Sequence, residues 1–444
     1  MTDRDASQYF EHSPLWRLSR SFAADPDAML AFVAQSAART NSNASRNTYL
    51  HLSDAMAQAR SVPQRFPDTA RRPLLYGLPV SLKDCFDLAG TVTTAGSRYF
   101  AENNPVAQEN SWVAERLLAA GAVIVGKTHL HELAWGITGE NRWFGDCLQP
   151  RDATQLTGGS SSGAAASVQE GSAVAAIGTD TGGSVRAPAA FCGLCGLRGS
   201  LGVGDWRGGA HLAPSFDTLG WLFRDLRDAP LLAAALFGIA PAAPPAVPVR
   251  IAVPDAAFFH DCEPAMLARL ARWTEALRER GHLIAGFDAR FWDEAWPIFS
   301  GIQAHEAAAL YRGRHDRFGE EFAARFAWGE SLKPETVAAL REEYAAFVAR
   351  TDALFENAEY LLLPSTPVER LQAGADQSNA RPRILRYSTP VSLGGYPLVA
   401  LPGGMQLVAS RGADAQLFAF AAALHGVAAY DGSLEENSGA GEGI

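Results

Sequence analysis

Within one stretch, Thr157 to Ser200, lie two serine-bearing glycine loops: Gly158-Gly159-Ser160-Ser161-Ser162-Gly163 and Asp180-Thr181-Gly182-Gly183-Ser184. Glycine admits backbone geometries and close approaches that other residues forbid. Such loops can gather hydroxyls and free backbone N–H groups at one point. Acyl transfer needs that set: a nucleophile, a proton carrier and donors aimed at a developing oxyanion. Lys83 adds an amine at the end of the run Tyr76-Gly77-Leu78-Pro79-Val80-Ser81-Leu82-Lys83-Asp84. A lysine acts as a base only when neutral, so its pKa must fall from about 10.4. Burial among Leu82, Val80 and other apolar neighbours, with no carboxylate pairing the ammonium, lowers it. Asp84 is adjacent in sequence, but side chains alternate along a strand, which turns it away.

Each of these residues also has a structural reading. Lys83 fits a strand-end lysine reaching water, Ser160, Ser161 and Ser162 fit caps of the following helix, and Ser184 fits a turn. For Ser161 and Ser162, capping or support of the site is the reading preferred here. Gly159-Ser160-Ser161-Ser162-Gly163 satisfies G-x-S-x-G, but a nucleophile elbow needs an apolar strand before it, and the preceding RDATQLTG is polar. Neither loop ends in the Gly-Lys of a phosphate-cradling P-loop, and His129 and His131 lack the HExxH spacing, so no metal site is inferred. Cys192 and Cys195 form a CxxC without a second pair and are read as packing.

The elements that must position these groups follow an α/β alternation. Residues 13–60 read as helical, with Asp25, Pro26 and Asn43 as boundaries, and 61–74 as a polar link. The run ending at Lys83 reads as a strand, Ser111 to Ala120 as an amphipathic helix, and Gly121 to Gly126 as a buried strand. Ala164 to Glu170 reads as helix and Ala173 to Ile177 as strand. After a Pro-Ala-rich connector (239–248) come a strand at Val249 to Val253, a helix over 263–281 and a long helical region from 292 to 357. Strands return at Tyr360 to Pro364 and Leu398 to Pro402. The expected architecture is a single α/β/α domain around a large mixed sheet built from both ends of the chain. Its segments are an N-terminal helical part (1–70), a catalytic core (71–228), a variable helical region (229–357), a return to the sheet (358–430) and a flexible tail (431–444).

The 444 residues are 48% hydrophobic and 19% charged, an ordinary globular balance, and the formal charge of −10 is spread without a basic block, which argues against nucleic acid as a ligand. Five scattered cysteines do not suggest a disulfide framework. The polar start MTDRDASQYFEH has no signal-peptide pattern and no apolar run reaches membrane-spanning length, so a cytoplasmic enzyme is expected.

GGSSSGAAAS followed by GTDTGGSVRAPAAFCGLCGLRGS resembles the defining segment of the amidase signature family. Flanking pieces agree: GLPVSLKD at 77–84, TAGSRYF at 94–100, GAVIVGKTHLHEL at 121–133, SFDTLG at 215–220 and GGYPLVALPGG at 394–404. The matched blocks extend over most of 70–228 and again over 360–408, whereas 230–355 match little. The resemblance implies Ser184 as nucleophile, Ser160 as bridging serine after a cis peptide bond from Gly159, and Lys83 as base. It implies the backbone N–H groups of Thr181, Gly182, Gly183 and Ser184 as oxyanion hole, without metal or organic cofactor. Arg186 is read as a loop-bracing cation, with a substrate carboxylate as the minority reading, and Asp180 as a loop organiser through Asx-type hydrogen bonds.

Three departures are visible. Gly196-Leu197-Arg198-Gly199-Ser200 replaces the usual Lys-Pro-Thr ending, Gln149-Pro150 replaces Asn-Pro, and only Gly403-Gly404 separates Pro402 from Met405. They loosen assignment to the glutaminase branch that serves glutaminyl-tRNA amidotransferases. The expected activity is hydrolysis of a carboxylic amide, aryl or apolar aliphatic, with carbamates and esters as further substrates. A pocket roofed by the aromatic-rich 292–328 and by loops near Phe144, Trp206 and Trp221 would favour such apolar groups. The alternatives are a glutaminase subunit feeding ammonia to a partner and a catalytically silent binding protein. A monomer or homodimer with a small-molecule substrate, and neither nucleic acid nor membrane as partner, completes the expectation.

Overall fold

A computed structural model describes residues 3–42 and 46–427. Asn43 and the segment 431–444, assigned above as a helix boundary and a tail, lie outside the described residues. Eleven described strands form one sheet: β1 (Tyr49–Leu52), β2 (Pro79–Lys83), β3 (Val123–Thr128), β4 (Ala175–Thr179), β5 (Cys195–Arg198), β6 (Leu219–Phe223), β7 (Arg250–Pro254), β8 (Leu283–Phe287), β9 (Tyr360–Pro364), β10 (Leu398–Leu401) and β11 (Met405–Ala409). Their order is β1-β3-β2-β4-β6-β5-β10-β11-β9-β7-β8. The sheet is mixed. β2 runs parallel to both β3 and β4, β7 runs parallel to β8 and β9, and the other pairings are antiparallel.

Burial explains why these segments are strands. Every residue of β2, β3, β4, β5, β6, β9, β10 and β11 is buried, the near-continuous apolar run of a strand covered on both faces. At the two edges the pattern relaxes: Leu52 of β1 and Leu283 of β8 are among the exposed large apolar side chains. The fold is thus the single mixed-sheet α/β/α domain expected. Among the described residues no helix is long and apolar enough to cross a membrane.

Two local expectations are corrected. Tyr49–Leu52, read as part of a helix, is strand β1, paired antiparallel with β3 (Tyr49↔Thr128, Leu52↔Gly126). The free edge of β3 outcompetes a helical spacing of apolar residues over so short a run. The helix after it, Ala55–Arg65, continues through Pro63 into the stretch read as a link. Beyond β6 the helices Ala295–Leu310, Glu320–Ser331 and Pro334–Asp352 form the variable region. They are followed, after β9, by the helix Ala380–Leu393, which carries side chains back toward the two loops.

Candidate active site

Lys83 ends β2, the strand enclosed between β3 and β4, and its side chain is wholly buried. Its Nζ lies 2.8 Å from Ser160 Oγ and 2.7 Å from Thr179 Oγ1. Burial lowers its pKa to about 8, with Cys85, Asp180 and Asp217 opposing. Asp84 points the other way, as strand alternation requires. It pairs with the buried Lys127 at 2.5 Å and accepts from the Thr94 hydroxyl. The carboxylate next in sequence is therefore spent on a second lysine, and among the described residues Lys83 keeps hydroxyls alone as hydrogen-bond partners.

The first glycine loop enters the site through a cis peptide between Gly159 and Ser160. Gly159 N–H donates to the Ile137 carbonyl at 2.8 Å, and the helix Ser162–Glu170 begins immediately after. A Cβ at Gly163 would stand 2.1 Å from the Thr48 carbonyl oxygen, so this helix start is pressed against the chain leading into β1. Ser161 occupies the N-cap position but makes no capping bond, which corrects the capping reading. Its hydroxyl instead donates to the Thr179 carbonyl (3.2 Å) and accepts from the Thr179 N–H (3.3 Å), tying the serine loop to the end of β4. Ser162 Oγ reaches the Ser160 carbonyl at 3.5 Å.

The second loop is organised around Asp180. Its carboxylate accepts from the Gly183 and Val185 N–H groups (2.9 and 3.1 Å) and from the Arg186 guanidinium (2.8 and 3.1 Å). Arg198 adds a contact at 3.3 Å. Burial pushes the Asp180 carboxyl up, but the two guanidiniums outweigh it and hold the group well below the usual carboxylate range. Arg186 spends its remaining donors on the Ser388 carbonyl, Gln406 Oε1 and Ser392 Oγ. All five of its N–H groups have acceptors inside the protein, which leaves none for a substrate carboxylate.

Gly183, with φ +121°, adopts a conformation closed to other residues, and a Cβ there would meet Ser388 at 3.1 Å. Of the four N–H groups assigned to an oxyanion hole, that of Gly183 is engaged by Asp180. Those of Thr181, Gly182 and Ser184 have no acceptor among the described residues, although all three residues are buried. All three residues line the cavity described below, where their N–H groups are free to donate to a bound group.

Ser160 and Ser184 are brought together through the backbone, Ser161 N–H donating to the Ser184 carbonyl at 3.3 Å. Among the described residues their hydroxyls make no hydrogen bond to each other, and Ser184 Oγ has no partner. With Thr181 and Gly182, Ser184 lines a cavity of about 20 Å³. Trp135, Ile137, Leu212, Gln303, Arg381 and Leu385 form much of the remaining wall. Such a volume holds about one water.

None of Phe144, Trp206 and Trp221, named above as pocket residues, lines this cavity. Trp221 is a core residue of β6 between Ile177 and Leu197, Trp206 stacks on His211, and the Phe144 N–H is bound to Asn141. The aromatic roof is instead Trp135, stacked on Phe322 and edge-on to Phe326 of the variable region. Its indole N–H donates to Gln303 at 2.9 Å. Thr179, Trp135, Gln303 and Arg381 were not found by sequence reasoning. Thr179 had a usable signal, since it immediately precedes Asp180 at the end of a strand parallel to that of Lys83.

Residues 28–418 match the family model described as Amidase. The chain is 30% identical over 403 residues to the A-subunit of a glutamyl-tRNA(Gln) amidotransferase from Chloroflexus aggregans, covering 80% of this chain and 82% of that one. To the protein of the same description from Synechococcus elongatus it is 30% identical over 448 residues, covering 88% and 90%. Among solved structures, one described as an amidase superposes with a TM-score of 0.83 at 26% identity, over 92% of this chain and 98% of that one. A structure from work on an s-triazine catabolic enzyme does so with the same score and identity, over 92% and 97%.

Proposed function

Because the chain belongs to the amidase family, we propose that its serine-nucleophile C–N hydrolysis runs through an acyl-enzyme on Ser184, with Lys83 and Ser160 as the proton relay. One observation carries the reading: an amine without a carboxylate partner, 2.8 Å from the Ser160 hydroxyl, in a site where three unpaired backbone N–H groups surround Ser184. Neutral Lys83 takes the Ser160 proton as Ser160 takes that of Ser184, and Ser184 Oγ attacks the carbonyl carbon. Rotation of the unpartnered Ser184 hydroxyl closes the second leg, a contact that commonly tightens only around substrate. The oxyanion is received by the N–H groups of Thr181, Gly182 and Ser184. Reversing the relay protonates the leaving amine, and water then hydrolyses the acyl-serine by the same route.

The substrate in this reading is a small carboxylic amide, with carbamates and esters presenting the same carbonyl. Trp135, Ile137, Leu212 and Leu385 present apolar surface beside Ser184, and an aryl or aliphatic group enters this one-water space only as those side chains move apart. Incubation with anilides, primary amides, carbamates and esters should give turnover and, by intact mass, an acyl adduct on Ser184. Hydrolysis retained at wild-type rate by Ser184→Ala would remove the nucleophile assignment. The amidotransferase relatives support a second reading, a glutaminase subunit that supplies ammonia to a partner. Turnover of an anilide by the isolated chain favours the first; glutamine hydrolysis appearing only with added partner subunits favours the second.

A further inference from the structure

Arg381 is the one arginine of helix Ala380–Leu393 without a carboxylate. Arg383 and Arg386 both approach Asp261, and Arg386 also pairs with Asp293. Among the described residues the Arg381 side chain makes neither a hydrogen bond nor an ion pair. Its Nε is sealed from solvent without an acceptor, and its guanidinium lies 5.4 Å from the Trp296 ring centre. It stands in the first turn of a 14-residue helix, where the helix dipole disfavours a cation, and that turn holds no acidic residue. The positive charge of Arg325 acts on it as well; burial and then this repulsion lower it to about 9.

Its location gives this accumulation of unbalanced positive charge a direction. Arg381 lines the cavity of Ser184, and it also lines a groove of about 620 Å³ with Gly136, His131, Arg325 and Gln377. Four acids line the same groove, and none of them pairs with Arg381: Glu320 and Glu321 approach Arg142 at 3.9 and 3.7 Å, Glu140 accepts from the Thr138 hydroxyl and Asp146 from the Asn141 N–H. Gly136 and Arg381 line both spaces, and the carbonyl of the adjacent Trp135 accepts from Arg325 at 2.8 Å.

Resting on the amide-hydrolase reading above, we infer that Arg381 anchors an anionic group of the substrate, a carboxylate close to the scissile amide, at the passage between the groove and Ser184. The substrate class is an amide bearing a carboxylate on its acyl or its amine part. A planar guanidinium fits that group in bidentate fashion. This narrows the apolar expectation, because an arginine without a counter-ion stands among the largely apolar walls at Ser184.

The test compares butyranilide with N-phenylsuccinamate, charged on the acyl side, and 4-butyramidobenzoate, charged on the amine side. One charged substrate should exceed butyranilide in kcat/KM by about tenfold or more, and which one does so identifies the side. In Arg381→Gln the charged-to-neutral ratio should fall at least about tenfold, with Arg381→Lys between, as expected for a charge-assisted contact. Both charged substrates within about threefold of butyranilide, or a ratio unchanged in Arg381→Gln, overturns the anchor. If no substrate turns over, the hydrolase reading fails separately, and succinate binding followed by calorimetry still decides. Saturable binding lost in Arg381→Gln supports the anchor; no binding, or equal binding, refutes it.

Discussion

Replacing Lys83 by methionine separates the role of this side chain in chemistry from its cost to folding. Holding a lysine at about 8 rather than 10.5 in the folded chain corresponds to about 3 kcal/mol of destabilisation at neutral pH. Methionine is of similar length and removes that cost. It also removes the contacts to Ser160 and Thr179, about 1 kcal/mol each. Lys83→Met should therefore be inactive yet about 1 kcal/mol more stable at pH 7. The sign of the pH dependence follows from proton counting. Between about 8 and 10.5 the unfolded chain holds the lysine proton and the folded chain has released it, so raising pH stabilises the wild type only. The advantage of the variant should shrink by about 2 kcal/mol between pH 7 and about 9.5 and change sign. Urea unfolding of both proteins at the two pH values measures it. A variant less stable by more than about 2 kcal/mol at pH 7, or a difference that does not move with pH, would refute the reasoning.

Three further outcomes are expected. The kcat/KM of the wild type should rise with pH through an apparent pKa of about 8, as Lys83 loses its proton; a profile flat across this range would remove Lys83 as base. Thr179→Val deletes an acceptor that favours the ammonium, so the rising limb should move to lower pH. A move to higher pH in stopped-flow or steady-state profiles would contradict the assigned contact. Asp180→Asn leaves Arg186 and Arg198 buried without their shared carboxylate and should cost about 3–5 kcal/mol. A urea midpoint close to wild type would show that the network tolerates the loss.

The candidate site was legible through its resemblance to a family segment: taken singly, Lys83 and the glycine-flanked serines each had a structural reading, and only the ordered set of motifs singled them out. Strand alternation alone separated Lys83 from Asp84, and the structure gives Asp84 to Lys127. The pocket wall was not legible in the same way. Trp135 lies just after a 3₁₀ turn, Gln303 in a variable helix and Arg381 in a helix far beyond the serine loops in sequence. No periodicity links them, and only tertiary packing, such as that of Trp135 on Phe322 and Phe326, brings them to Ser184. Trp206 and Trp221 illustrate the reverse error, since aromatic residues near a motif serve the core as readily as a ligand. Edge strand β1 escaped because four residues, Tyr49 to Leu52, carry too few side chains to distinguish a period of two from one of 3.6.

The clamp around Asp180 has a consequence for how the chain matures. Arg186 reaches Gln406, which itself binds the carbonyls of Pro364 and Tyr387, so the loop bearing Ser184 is braced by partners made much later in the chain. A nascent chain leaving the ribosome carries its serines long before it carries their scaffold. The loop's brace is then complete only once β11 has been made, and truncations ending before β11 should leave the Ser184 loop without it.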